Sequence, residues 1–279
     1  MVYQINLKIN TMQEKIKSEG KCLFCGKTFA KAGINRHLVT HFKEKVEKGK
    51  PGKSFFVKIE TDKSWRTRPY FLCLWIDGEA KMKELDTFLR GIWFECCGDQ
   101  SAFRDRKKTF KWDYFEVMEL MAKGKTKEFE KLIENGAGEV PIRRKAKEVL
   151  YNGLVLDYEY DFENSTKLSI TVLGSYPVKV DEKIVLLSRN EPLKIMCASC
   201  GKAPATQICN VFLCSVDAEC CDKCAKKHAK ECEDFGDYYY SMPVVNSPRM
   251  GVFGYEGGKI DKDRDGVYSS DLFKEIEKY

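Results

Sequence analysis

The sequence predicts an α+β protein: a central mixed or antiparallel sheet with helices on one side, flanked by two small zinc-stabilised modules. Three observations predict it. Between about residues 54 and 192, runs of aromatic and β-branched residues alternate with stretches of helical periodicity. Ten of the thirteen cysteines fall in two short windows, at Cys22 and Cys25 and between Cys197 and Cys232. The three histidines, His37, His41 and His228, stand at ligand spacing beside those cysteines.

In chain order, residues 1–47 form the first module. They contain Cys22-x2-Cys25-x11-His37-x3-His41, a cysteine hairpin followed by two histidines one helical turn apart, which together supply four tetrahedral zinc ligands. Phe29 and Ile34 are placed to fill the small core such a unit needs. Residues 48–53, KGKPGK, have the composition of a linker.

The main domain, 54–192, follows. FFVKIE (55–60) and YFLCLWID (70–77) read as strands. In MKELDTFLRGIWF (82–94), Met82, Leu85, Phe88, Leu89 and Ile92 share one helical face. FEVMELMAKG and EFEKLIENG read as two more helices, the second stopping at Gly136. LVLDYEYDF, KLSITVLG and KIVLLS then give three further strands.

Residues 193–235 hold four ligand pairs: Cys197/Cys200, Cys209/Cys214, Cys221/Cys224 and His228/Cys232. In a cross-braced pairing, Cys197, Cys200, Cys221 and Cys224 make one site, while Cys209, Cys214, His228 and Cys232 make a second. Cys220 and Cys221 compete for one place. The expected load is two to three zinc ions. Both centres fill every coordination position with protein, as structural zinc does, whereas a catalytic zinc keeps one position open. About forty residues cannot build an adequate core alone, so metal supplies folding energy there. Residues 236–279 read as a C-terminal extension.

Composition limits the function. No apolar run approaches the roughly 18 residues that span a bilayer, and MVYQINLKINTMQEKIK lacks the continuous apolar stretch of a secretory signal. Thirteen cysteines in a chain without such a signal point to a reducing, cytoplasmic setting and to metal rather than disulfides. The net charge is +6, and residues 1–53 hold twelve Lys/Arg against four Asp/Glu, so that segment carries +8 and the rest −2. That asymmetry suits a polyanionic partner. Lys27, Lys31, Arg36 and Lys43 are the phosphate-contact candidates in the first module. The positions from which a finger reads bases fall near Ala30, Gly33 and Arg36, and Ala and Gly cannot discriminate bases by hydrogen bonds. A single finger also covers too little surface for tight sequence-specific DNA binding. A second basic stretch, Phe103–Trp112, offers Arg104, Arg106, Lys107 and Lys108 between aromatic rings; it fits a nucleic-acid surface or a hairpin with inward rings.

With every histidine assigned to metal, none is left as a general base, and no glycine-rich phosphate loop follows a strand. The expectation is a non-enzymatic adaptor that binds RNA or a ribonucleoprotein such as the ribosome. The alternative is a protein-interaction or oligomerisation module without nucleic acid. Three features read as structural: Cys96-Cys97 as small buried residues, the alternating Asp157, Glu159, Asp161 and Glu163 as a solvent face, and Asp261-x-Asp263-x-Asp265-Gly266 as a polar turn. The last begins like a calcium loop but has Leu272 where the bidentate glutamate belongs.

CGKTFAKAGINRHLVTH strongly resembles a two-Cys/two-His zinc finger with one residue fewer than usual before the first histidine. The 197–232 cluster is similar to the B-box and MYND cross-brace modules. At LVLDYEYDFENSTKLSITVLG the main domain resembles the plasmid pRiA4b open-reading-frame-three family, whose members carry a strand pair around a motif like Tyr158-Glu159-Tyr160-Asp161-Phe162. The sequence departs from that pattern in having Glu163 for the usual Gly, Thr166 for the usual Trp, and SAFR in place of a His-containing stretch. The resemblance implies a strand-then-helix domain over about 54–190. It implies no catalytic motif.

Overall fold

The structure is a computed structural model, and it describes residues 16–61, 68–94, 98–108, 114–130, 138–209, 219–231, 241–252 and 255–265. Its centre is a six-stranded sheet built from β3 (Pro51–Thr61), β4 (Phe71–Asp77), β5 (Ser101–Asp105), β6 (Val155–Tyr160), β7 (Thr166–Val178) and β8 (Ile184–Arg189). The strand order is β5-β6-β7-β3-β4-β8 and every pair is antiparallel. The expected α+β class holds, with the sheet antiparallel throughout.

Alternation along the strands sorts residues between two faces. Phe55, Val57 and Ile59 of β3, Leu72, Leu74 and Ile76 of β4, and Leu156, Tyr158 and Tyr160 of β6 enter the main core. There they meet α2 (Met82–Leu89) through Met82, Leu85 and Leu89. The helix expected over 82–94 is α-helical only to Leu89; Arg90–Phe94 form a π-helical turn carrying Ile92, Trp93 and Phe94 into the same core. The buried Asp86 of α2 accepts from Tyr158 Oη at 2.9 Å, Ser101 Oγ at 2.6 Å and Arg90 Nε at 2.8 Å, tying the helix to β5 and β6.

The opposite face is covered too, which the one-sided expectation did not anticipate. Every residue of β4 is buried. Phe71, Cys73 and Trp75 of β4 and Phe56 of β3 form a second cluster whose cover is the first Cys/His module. That module is a hairpin of β1 (Glu19–Lys21) and β2 (Thr28–Ala30) followed by α1 (Ile34–Lys48). Ile34, Leu38 and Phe42 repeat every four residues, so one stripe of α1 faces the sheet. Phe42 sits 5.1 Å from the Phe56 ring, 4.9 Å from Trp75 and 4.6 Å from Tyr176.

Backbone bonds extend this docking. Leu23 N–H donates to Leu187 O and Glu191 N–H to Glu19 O, so the hairpin caps the β8 edge. The β5 edge is capped by Asp105 N–H to Gly138 O and Val140 N–H to Phe103 O. Neither edge of the sheet is left as an open pairing template. Residues 51–53, expected as linker, are the first residues of β3, and a Cβ on Gly52 would lie 2.9 Å from the Lys179 backbone nitrogen. Tight apposition leaves no tether between module and domain.

The chain leaves the sheet at Arg189, builds a three-stranded sheet from β9 (Gln207–Cys209), β10 (Glu219–Cys220) and β11 (Ser241–Pro243), and then returns. The described residues of 244–265, expected within an extension, pack back on the domain: Val245, Asn246, Ser247, Arg249, Tyr255 and Asp265 are buried, and Ile260 packs against the main core. Asn190 and Asn246 close the neck of this insertion: Asn190 Nδ2 donates to Asn246 Oδ1 at 2.6 Å, and Asn246 Nδ2 donates to Asn190 O at 2.8 Å. Lys259 N–H and Ile260 N–H both donate to Gly91 O in the π turn, and Ser247 Oγ donates to Trp93 O at 2.8 Å. The returning chain therefore supplies partners for carbonyls that the π geometry frees.

Two buried arginines anchor it. Arg189 pairs with Asp265 and donates to Asn246 O at 2.6 Å. Arg249 pairs with Asp161 and donates to Asn164 O at 2.6 Å. Asp161 has φ 58°, and its Oδ1 accepts from Asn164 N–H at 3.0 Å, which holds the β6–β7 turn in that left-handed conformation. Of the acidic residues expected at a polar turn, Asp265 is buried on Arg189, and Asp261 pairs with Arg264 and Arg189. Their carboxylates hold arginines. Among the described residues no helix is long and apolar enough to cross a membrane.

Candidate metal centres

Two groups of four side chains converge. In the first, Cys22, Cys25, His37 and His41 place one ligand atom each within 4.8 Å of all the others. The β1–β2 hairpin brings the two cysteines together, with Gly26 at φ 74° making the turn and its N–H donating to Cys22 O. Helix α1 brings the histidines, four residues apart on one side. Cys25 Sγ lies 3.2 Å from His37 Nε2, which lies 3.1 Å from His41 Nε2. A tetrahedron with bonds of about 2.0–2.3 Å has edges of about 3.3–3.8 Å, so the residues present fit a first-row divalent ion. Burial, and then the neighbouring His41, lower the His37 pKa, which keeps the imidazole in its neutral, ligating form. Phe29 stacks on the His37 ring at 4.0 Å, and Phe24 lies 5.1 Å from His41, so these two aromatics orient the candidate ligands.

The second group is Cys197, Cys200, Cys221 and Cys224, again within 4.8 Å. Cys200 and Cys221 Sγ atoms are 3.9 Å apart, close to the edge of a thiolate tetrahedron. Burial works against ionisation of Cys197, but hydrogen bonds from the Cys221, Cys200 and Ser199 backbone outweigh it and bring the pKa down to about 6. The Cys221 thiol and then burial push Cys224 up to about 12. Four thiols this close cannot all shed protons without a cation, and a divalent ion removes that conflict. Cys221, not Cys220, joins this group. Cys220 is buried with Sγ 3.5 Å from Ser199 Oγ.

For the second centre of the cross-brace, Cys214 and Cys232 lie outside the described residues. Cys209 is buried at the end of β9, and His228 lies on α3 (Asp222–Glu231). His228 Nε2 is shielded from solvent and has no hydrogen-bond partner among the described residues. Cys96 and Cys97 also lie outside the described residues.

The nucleic-acid candidates divide into two sets. Arg104 pairs with Glu159 and Arg106 with Asp157, so a basic strand and an acidic strand that look like separate features neutralise each other across β5 and β6. Lys108 approaches Asp105 at 3.5 Å, while Lys107 is exposed. In the finger, Lys31 is engaged by Glu60 at 2.9 Å. Lys27, Arg36 and Lys43 are exposed and make no ion pair among the described residues.

No family model matches the chain, and no curated protein does. Among solved structures, a protein of unknown function from Methanosarcina mazei Go1 is similar over 50% of this chain and 68% of that one, at 10% identity and a TM-score of 0.33.

Proposed function

We propose that this chain is a non-enzymatic, cytoplasmic, zinc-binding adaptor that holds RNA or a ribonucleoprotein such as the ribosome through the outer face of its finger. The observation that carries the reading is the division of α1. One stripe, Ile34, Leu38 and Phe42, is spent on the sheet, while Arg36 and Lys43 on the opposite side, and Lys27 in the hairpin, are exposed and make no ion pair among the described residues. Exposed, uncompensated cations on one module are the electrostatic footprint of a polyanion site. Zinc is the metal that suits the donors: mixed thiolate–imidazole and all-thiolate tetrahedra with no open position. Such closed centres stabilise and do no chemistry, and His37 and His41 are committed to one of them. For the main domain we propose membership of the pRiA4b open-reading-frame-three family, supported by the Tyr158–Phe162 motif lying where β6 turns into β7.

The test is capture of the tagged, zinc-loaded chain from lysate with and without nuclease, followed by titration of the purified chain with total RNA at rising salt. Retained RNA that is lost steeply between about 50 and 200 mM salt is the expected result. No RNA affinity at about 50 mM salt overturns the reading. A protein-only partner is the second reading, favoured by exposed Val39 and Leu23 on the finger. Its complexes would survive nuclease and respond little to salt.

A further inference from the structure

Resting on the RNA reading above, we infer that the finger's target is double-helical RNA, held by its phosphates across the shallow minor groove, and not single-stranded RNA or B-form DNA. Three observations exclude the other forms. Binding of single strands relies on rings on which splayed bases stack. The finger has two aromatics near its surface, and both are occupied: Phe29 lies against His37, and Phe24 lies between His41 and the Lys45 ammonium, 4.7 Å from its ring.

B-form DNA is read by a helix inserted into a major groove about 12 Å wide, which a helix of about 10–12 Å diameter fills. Helix α1 does not offer such a groove its full circumference, because Ile34, Leu38 and Phe42 hold its length against the sheet and only its outer side is free. Nor do Ala30 and Gly33 offer donors to base edges. The duplex of RNA differs in shape. Its minor groove is wide and shallow, lined by phosphates and 2′-hydroxyls, and is recognised by surfaces that lie across it.

The finger offers such a surface. Arg36 and Lys43 are seven residues apart, so they lie on the same side of α1 about 10.5 Å from one another along its axis. Lys27 stands beside the metal centre, near enough to His37 to contribute to its lowered pKa. Lys21, at the end of β1, adds a fourth exposed cation, and the exposed Thr28 and Thr40 hydroxyls suit 2′-hydroxyl partners.

The experiment measures binding of the full, zinc-loaded chain to a 20-base-pair RNA duplex, to one of its strands alone and to a B-form DNA duplex of the same sequence. The RNA duplex is expected to bind at least about tenfold tighter than either competitor. Four phosphate contacts give a log–log salt slope near −3.6, so affinity should fall by about 150-fold between 50 and 200 mM salt. The triple variant Lys27→Gln/Arg36→Gln/Lys43→Gln should lose about three units of that slope, with zinc content and melting temperature unchanged. Equal or tighter binding of the single strand overturns the duplex inference and leaves the RNA reading standing. Equal binding of the DNA duplex overturns recognition of RNA form. No binding of any of the three overturns both.

Discussion

Replacing Phe42 with alanine separates a docked finger from a tethered one. Phe42 is 1% exposed and its ring contacts Phe56, Trp75 and Tyr176 at 4.6–5.1 Å. Truncating a buried phenylalanine costs about 3–5 kcal/mol, with aromatic pairing contributing about 0.5–1.5 kcal/mol per pair beyond burial. Phe42→Ala should therefore remove about 4 kcal/mol from the stability of the whole domain, a large part of the usual 5–15 kcal/mol. Urea unfolding of the zinc-loaded protein, followed by tryptophan fluorescence, reads the loss, because Trp75 lies under the Phe42 ring. Val39→Ala, on the exposed side of the same helix, should cost less than about 0.5 kcal/mol and serves as control. If Phe42→Ala shifts the unfolding midpoint no more than Val39→Ala does, the finger is not part of the core and the two-faced account of the sheet is wrong.

Three further outcomes follow from the structure. Ending the chain at residue 240 removes Asn246, Ser247, Arg249 and Asp265, so the Arg189 guanidinium and the Gly91 and Trp93 carbonyls lose these partners and Asn190 loses Asn246; circular dichroism should show a chain that no longer folds cooperatively. In Arg249→Met, Asp161 is left buried without its cation, at a cost of about 3–5 kcal/mol near neutral pH. Burial alone would raise the Asp161 pKa, but Arg249 and the Asn164 and Glu163 N–H groups hold it below the ordinary value. The native pair thus contributes fully above about pH 4 and is lost as pH falls through the lowered pKa, so the stability gap between wild type and Arg249→Met should narrow below about pH 4 when both are melted side by side. Finally, elemental analysis should find at least two zinc ions per chain, and Cys25→Ser and Cys200→Ser should each lower the count by one. A wild-type count below two would remove one of the four-ligand centres.

Much of this architecture can be read from the residues. The five strands recognised in the main domain all form, because their aromatic and β-branched runs suit a pleated, buried surface. Both four-ligand groups described here are spaced as a tetrahedral ion requires, and spacing along the chain is the physical constraint that closing such a site imposes. Other features had weaker signals. FLCLWI is apolar at every position, the mark of a strand covered on both sides, yet nothing local says that the cover is the finger. KGKPGK has linker composition, but its backbone is fixed by β7, a partner more than a hundred residues away. The pairing of Arg104 and Arg106 with Glu159 and Asp157 depends on strand register, which separate inspection of a basic run and an acidic run cannot supply. The tail was the least legible part. Its arginine, asparagine and aspartate look like surface residues, and become interior ones only through partners contributed by Asp161, Arg189 and Asn190.

The returning tail also orders events during synthesis. Translation delivers all six strands of the central sheet by Arg189, but the groups that saturate the π turn and neutralise Asp161 and Arg189 arrive only with residues 246–265. In between, the ribosome releases Cys197, Cys200, Cys221 and Cys224. These four thiols thus leave the ribosome before the domain from which the insertion projects is complete. A nascent chain still lacking residues 246–265 holds Asp161 and Arg189 without these partners, so chaperone dependence should peak while that stretch is being made.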